Sequence, residues 1–224
     1  MADAKGVHVA RLIAIPTVIT LAVTIIRLVG ELKHWPAPWF SSAAGGGGAL
    51  VGIAWLPFIF GPYFALKLAA AGEGPSSNGK AIGFAFLGLV GFFIAGQIFE
   101  MSMRHISLMA LAILPLMLIA GLVTLIGWGS LGRVLLAYAF AARVPVLIVM
   151  YSAMSGNGGA GWGTHYDAVT PALAKLPFAR KYFYIAIMPQ MTMWIGWTMI
   201  LGAIFGSIVV ALARRGKREA QAAA

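Results

Sequence analysis

The sequence contains no cysteine and only 6 acidic residues, and charged residues amount to 10% of its length. The missing cysteine excludes disulfides, thiolate metal sites and thiol nucleophiles. The missing charge excludes more: a soluble domain carries about 25% charged residues because its surface must be wetted by water. Histidine is scarce as well, with 4 residues and none inside an apolar run. That removes axial haem ligation and the H-E-x-x-H zinc pair.

What is there is apolar. Hydrophobic residues make up 61% of the 224 positions, and mean hydropathy is +0.90 over the whole chain. About 20 apolar residues cross a bilayer, and runs of that order occupy 12–29, 49–68, 81–99, 106–128, 134–151 and 182–213. Backbone in contact with lipid must satisfy its own hydrogen bonds, so each run is expected to be a helix. The sequence therefore predicts an all-α integral membrane protein. It would be one membrane domain over 1–224, a bundle of about six transmembrane helices. The last run is over-long, which calls for tilt or an opening turn at the interface.

The net charge of +10 does not point to nucleic acid, because basic residues stand singly at the ends of apolar runs. Only Arg214, Arg215, Lys217 and Arg218 cluster, a pattern that anchors a chain against anionic headgroups. The partner so implied is the lipid bilayer, with other membrane proteins or a second copy beside it. The basic bias predicts cytoplasmic termini in the plasma (inner) membrane, with outer loops at 31–48 and 152–181. Lys5 and Arg11 before an apolar run resemble a secretory signal. No small-residue cleavage site follows Ile26 and Pro16 interrupts the run, so a retained first helix is expected. In the first outer loop Trp35, Trp39 and Phe40 suit the headgroup interface, and Gly45–Gly48 reads as a flexible joint. In the second, Thr170-Pro171 predicts a short helix ending near Pro177. The two loops are expected to pack together as a cap.

No catalytic motif survives inspection. The stretch 74–81, GPSSNGKA, lacks the hydroxyl that a phosphate-binding loop needs for Mg²⁺. Ser155-Gly156 lacks the leading glycine of an intramembrane serine nucleophile, and the last run holds no histidine base. His34, His105 and His165 fall on the outer side with Glu31, Glu100 and Asp167 near them in sequence, but no two have ligand spacing along one helix. Glu100 and Arg104 are spaced for an ion pair. The expectation is a protein that is not an enzyme and takes no cofactor and no metal.

The polar residues inside the runs are few. Counted at about 1.5 Å per residue, Pro57, Pro115, Pro145 and Pro189 all lie roughly 11–14 Å below the outer ends, a level of kinks such as transporters use to build a site. Arg143 sits about 12 Å deep in the fifth run, where an arginine costs roughly 2.5–3.5 kcal/mol. Gln190 is expected at the same depth, with Gln97 and Glu100 nearer the outer end, and the four make up a predicted polar centre. Gly202 and Gly206 have the spacing that lets two helix backbones approach closely.

One stretch has a family likeness. Gly127, Gly129, Ser130, Arg133, Tyr138 and Pro145 form a glycine-rich turn, a serine-led basic segment and an apolar helix with tyrosine and proline. This resembles the Ypt-interacting (Yip) membrane proteins, and the Trp194/Trp197 helix running into the basic tail is similar to their last helix. The resemblance implies a non-enzymatic protein that organises or accompanies other membrane components. The level prolines and the buried arginine leave a second reading open, a small transporter or channel with a polar site at the midplane.

Overall fold

The computed structural model describes residues 7–46, 48–105, 111–171 and 173–222. These form six helices and no strand. Four are long and apolar enough to cross a bilayer: α1 (Val9–Leu32), α3 (Asn78–His105), α5 (Gly129–Ser155) and α6 (Phe178–Gly216, running on to Ala222). Two are shorter, α2 (Pro57–Ala70) and α4 (Leu114–Gly127). The chain is thus a multi-pass membrane protein by its helix composition.

Polar ties gather distant parts of the chain at one rim. The Val7 amide donates to Glu73 Oε1 at 2.7 Å. Trp128 Nε1 donates to the Glu73 carbonyl at 2.9 Å, and Arg214 Nη1 donates to the Pro75 carbonyl and Asn78 Oδ1, each at 3.1 Å. The start of α1, the α2–α3 and α4–α5 turns and the far part of α6 therefore lie together. The end of α1, the end of α5, the start of α6 and both long loops lie at the opposite rim.

At the centre, α6 packs against α2, α3, α4 and α5, while α1 lies chiefly against α5. Glycine makes the closest crossings possible. A Cβ on Gly61 of α2 would collide with the Gly202 backbone, and one on Gly206 would come within 2.8 Å of the Gly61 carbonyl oxygen. Gly202 and Gly206 are thus occupied inside the bundle. Overpacking a close-fitted contact costs about 1–3 kcal/mol, so Gly206→Val should lower stability by that amount in detergent unfolding. Unchanged stability would mean the crossing is looser than this geometry.

Several expected boundaries shift. The run 49–68 is helical only from Pro57, and 49–56 is irregular backbone. Its polar groups find other partners. The Leu50 and Val51 amides donate to the Pro38 and Trp39 carbonyls, and Trp197 Nε1 donates to the Ala54 carbonyl at 2.9 Å. Pro57 and Pro115 occupy first-turn positions, where a missing N–H costs nothing, so they begin helices instead of kinking them. Of the four level prolines only Pro145 is inside an unbroken helix. In the run 106–128, the described part starts at 111, and 106–110 lie outside the described residues. The helix expected after Thr170 is a series of turns, closed by Leu173 N–H to the Thr170 carbonyl and Leu176 N–H to the Leu173 carbonyl. Pro177, in extended geometry, begins α6 instead. That helix opens with a π-helical turn, Phe183–Ile187. Pro189 has no N–H for the Ile185 carbonyl, and the chain bends again at Thr192 (φ −120°, ψ −75°).

Candidate functional site

Most of α1 turns outward, but Thr20, Thr24, Arg27 and Glu31 are buried on one face. Their spacing is one helical stripe, directed at α5 and the outer loops. Thr20 Oγ1 and the Tyr138 hydroxyl share a hydrogen bond of 2.7 Å. The Tyr166 hydroxyl donates to the Thr24 carbonyl at 3.3 Å.

At the end of the stripe, the Glu31 side chain is fully enclosed. It accepts from Arg27 Nε at 2.8 Å, from the His165 amide at 2.8 Å and from His165 Nδ1 at 2.6 Å. The other end of the Arg27 guanidinium donates to the Ser41 and Gly46 carbonyls at 3.2 and 2.9 Å. Gly46 must be glycine here: its φ is +88°, and a Cβ would come within 2.9 Å of the guanidinium. Gly46, in the segment expected to be slack, is therefore held against Arg27, and the Glu31–His165 bonds tie the first loop's root to the second loop. The end of α1 thus joins both loops into a cap.

Glu31 is ionised while it pairs with Arg27, so His165 must carry its proton on Nδ1. Burial holds His165 below its usual pKa, against the pull of Glu31. A neutral buried histidine favours folding above the unfolded value near ~6.5, and that contribution is lost as pH falls from there through the folded pKa. Thermal stability in detergent should therefore drop as pH falls below about 6.5, and His165→Asn, which cannot titrate, should flatten that slope. Identical slopes would remove the histidine from the account.

Beneath the cap lies a cavity of about 490 Å³. Residues of the stretches 44–46 and 48–55, the second loop, α5 and the bent start of α6 wall it, with Phe99 of α3 and Leu114 of α4 closing the side. Non-helical backbone at membrane depth is tolerated where it lines such a space. Arg143, only 4% exposed, enters this cavity. Along the axis of α5 it is about 18 Å from Ser155 and about 21 Å from Gly129, near the helix middle. Its Nη1 donates to Gln190 Oε1 at 3.3 Å, its guanidinium carbon stands 4.9 Å from the Trp194 ring centroid, and its Nε has no partner among the described residues.

Of the four expected polar-centre residues, the structure brings Arg143 and Gln190 together. Gln97 and Glu100 are exposed on α3 and stay off the cavity wall. Arg27, expected as an interfacial anchor, is a second buried arginine. His34 is exposed, the His105 side chain lies outside the description, and Asp167 caps its own loop by accepting from the Gly163 and Thr164 amides. Among the described residues no three His, Asp or Glu side chains converge as metal ligands.

No family model, curated protein or solved structure matches the chain.

Proposed function

We propose that the chain crosses the bilayer six times with both termini cytoplasmic and takes a small ligand into the cavity beneath its outer loops, as a carrier of the transporter type. The observation that carries this reading is the buried Arg143 opening into a cavity of about 490 Å³, within the range of roughly 300–1,000 Å³ typical of small-molecule sites. The level of broken helices supports it too. Pro57, Pro115 and Pro189 start helical segments around the cavity, much as unwound helices frame transporter sites. The short α2 completes its crossing through the irregular segment 49–56 that precedes it.

The reading as an organiser of other membrane components drew on glycine-lined helix faces, and the space at Gly202 is already filled by Leu135 and that at Gly206 by Gly61 and Ala65. Kinship with the Ypt-interacting proteins rests on 127–150 and the last helix, with no family model behind it.

Two experiments test the proposal. Nile red, a neutral apolar probe, should bind the protein in nanodiscs with a stoichiometry near one, and Ala168→Trp, at the cavity wall, should abolish that binding. Equal binding by the filled variant would end the cavity reading. For orientation, single cysteines at the exposed positions Ser77 and Ser155 should label oppositely, Ser155 from outside and Ser77 only after permeabilisation. The reverse pattern would invert the protein.

A further inference from the structure

We propose that the cavity's ligand is an amphipathic monoanion, a carboxylate head held by Arg143 with an apolar body along the walls. This rests on the reading of the cavity as a ligand site and deepens it.

The charge balance argues for the head. Arg27 is neutralised by Glu31 and His165 is neutral, so those three leave no net charge. No acidic residue lines the cavity among the described residues, so Arg143 stands without a counter-charge. Among the described residues its polar contact is the 3.3 Å bond to a neutral amide, long for a cation donating to oxygen, where about 2.7–2.9 Å is usual for a charged pair. An apolar site holds an uncompensated guanidinium at high cost, and an anion brought beside the unpartnered Nε relieves it. A guanidinium presents a planar fork matched to a carboxylate. One cation matches one negative charge; a phosphate dianion would carry the excess into an apolar cavity.

The walls argue for the body. Phe99, Val146, Met150, Leu173, Ile185 and Met193 are among the lining residues, and a bare inorganic anion would leave them facing empty space. The volume is many times the ~30 Å³ share of one water molecule. Ala44, Gly45, Gly48 and Thr170, exposed lining residues, mark where the cavity reaches the outer rim. Such a ligand has two sources, a fatty acid from the bilayer or a water-borne carboxylate with an apolar body.

The test uses the full chain in phosphatidylcholine nanodiscs with cis-parinarate as probe, read by energy transfer from tryptophan and corrected for empty discs. Decanoate should displace it at concentrations about tenfold or more below those of decanol, which has the same body and no charge, and acetate should not displace it. Arg143→Gln should weaken parinarate binding about tenfold or more, and Arg143→Lys less. Should Arg143→Gln fail to fold, the competition series on the unaltered protein still decides. Decanol competing as well as decanoate, or undiminished binding by folded Arg143→Gln, overturns the proposal. If Nile red binds and parinarate does not, the anion is wrong and the ligand cavity stands; if neither binds, both fall. Oleate outcompeting 4-phenylbutyrate identifies a bilayer source and the reverse a water-borne one, and either order supports the class.

Discussion

Replacing Glu31 with alanine is expected to lower the stability of the bundle by about 3–5 kcal/mol, the usual consequence of leaving one member of a buried ion pair alone. The geometry puts this change near the top of that range. Glu31 is enclosed and accepts three hydrogen bonds from two residues. Its removal strips the counter-charge from Arg27 and a partner from the His165 amide, in a place water does not readily reach. The guanidinium keeps only the Ser41 and Gly46 carbonyls, which carry no charge. The first loop is folded onto Arg27 and the second onto Glu31, so the cap should loosen as well, and amide exchange should accelerate in both loops together. Equilibrium unfolding in mixed micelles measures the loss. The decisive comparison is with Arg27→Leu/Glu31→Leu, which removes both charges and should cost far less than the single changes added together. Additive losses would show that the pair is not coupled.

How much of this could be read beforehand differs from element to element. The four long helices are legible because lipid imposes continuous apolar surface on any helix that faces it. The same hydropathy cannot separate helix from buried irregular backbone at equal depth. For that reason 49–56 reads as the first turns of α2, although Gly52 and Pro57 mark where a helix would not run. Arg27 and Glu31 left a usable signal. Thr20, Thr24, Arg27 and Glu31 repeat at helical spacing, but a hydropathy window ends at Val29 and puts Glu31 into a loop. His165 left none, since nothing local ties it to a carboxylate 134 positions earlier. Counting residues from a shared rim set Arg143 and Gln190 at one depth, and they are 3.3 Å apart. Depth says nothing about which way a side chain turns. Phe92, Ala95 and Phe99 form the inner face of α3, and Gln97 and Glu100 fall on the other side of that helix.

Arg143→Leu should have the opposite consequence from the loss of Glu31, though both changes alter the charge of a buried site. The difference is the counter-charge. Arg27 is neutralised within the protein and Arg143 is not, so removing Arg143 leaves no charge stranded. An arginine at a helix centre costs roughly 2.5–3.5 kcal/mol to insert, and leucine there is favourable by about 0.3–0.6 kcal/mol. Against this gain, Gln190 loses its partner, at about 1–3 kcal/mol, and the contact with the Trp194 ring goes, at about 0.5–2 kcal/mol. The two sides nearly cancel, so Arg143→Leu should unfold within about 1 kcal/mol of the unaltered protein, while cis-parinarate binding falls about tenfold or more. Carrying Gln190→Met as well removes the stranded amide and should raise stability above the starting level. A residue that can be removed with little structural loss, at a position this expensive to occupy, is held there by what it binds. Collapse of the bundle in Arg143→Leu, with binding and stability lost together and no recovery in the double variant, would make Arg143 a packing residue and leave the cavity without its head-group site.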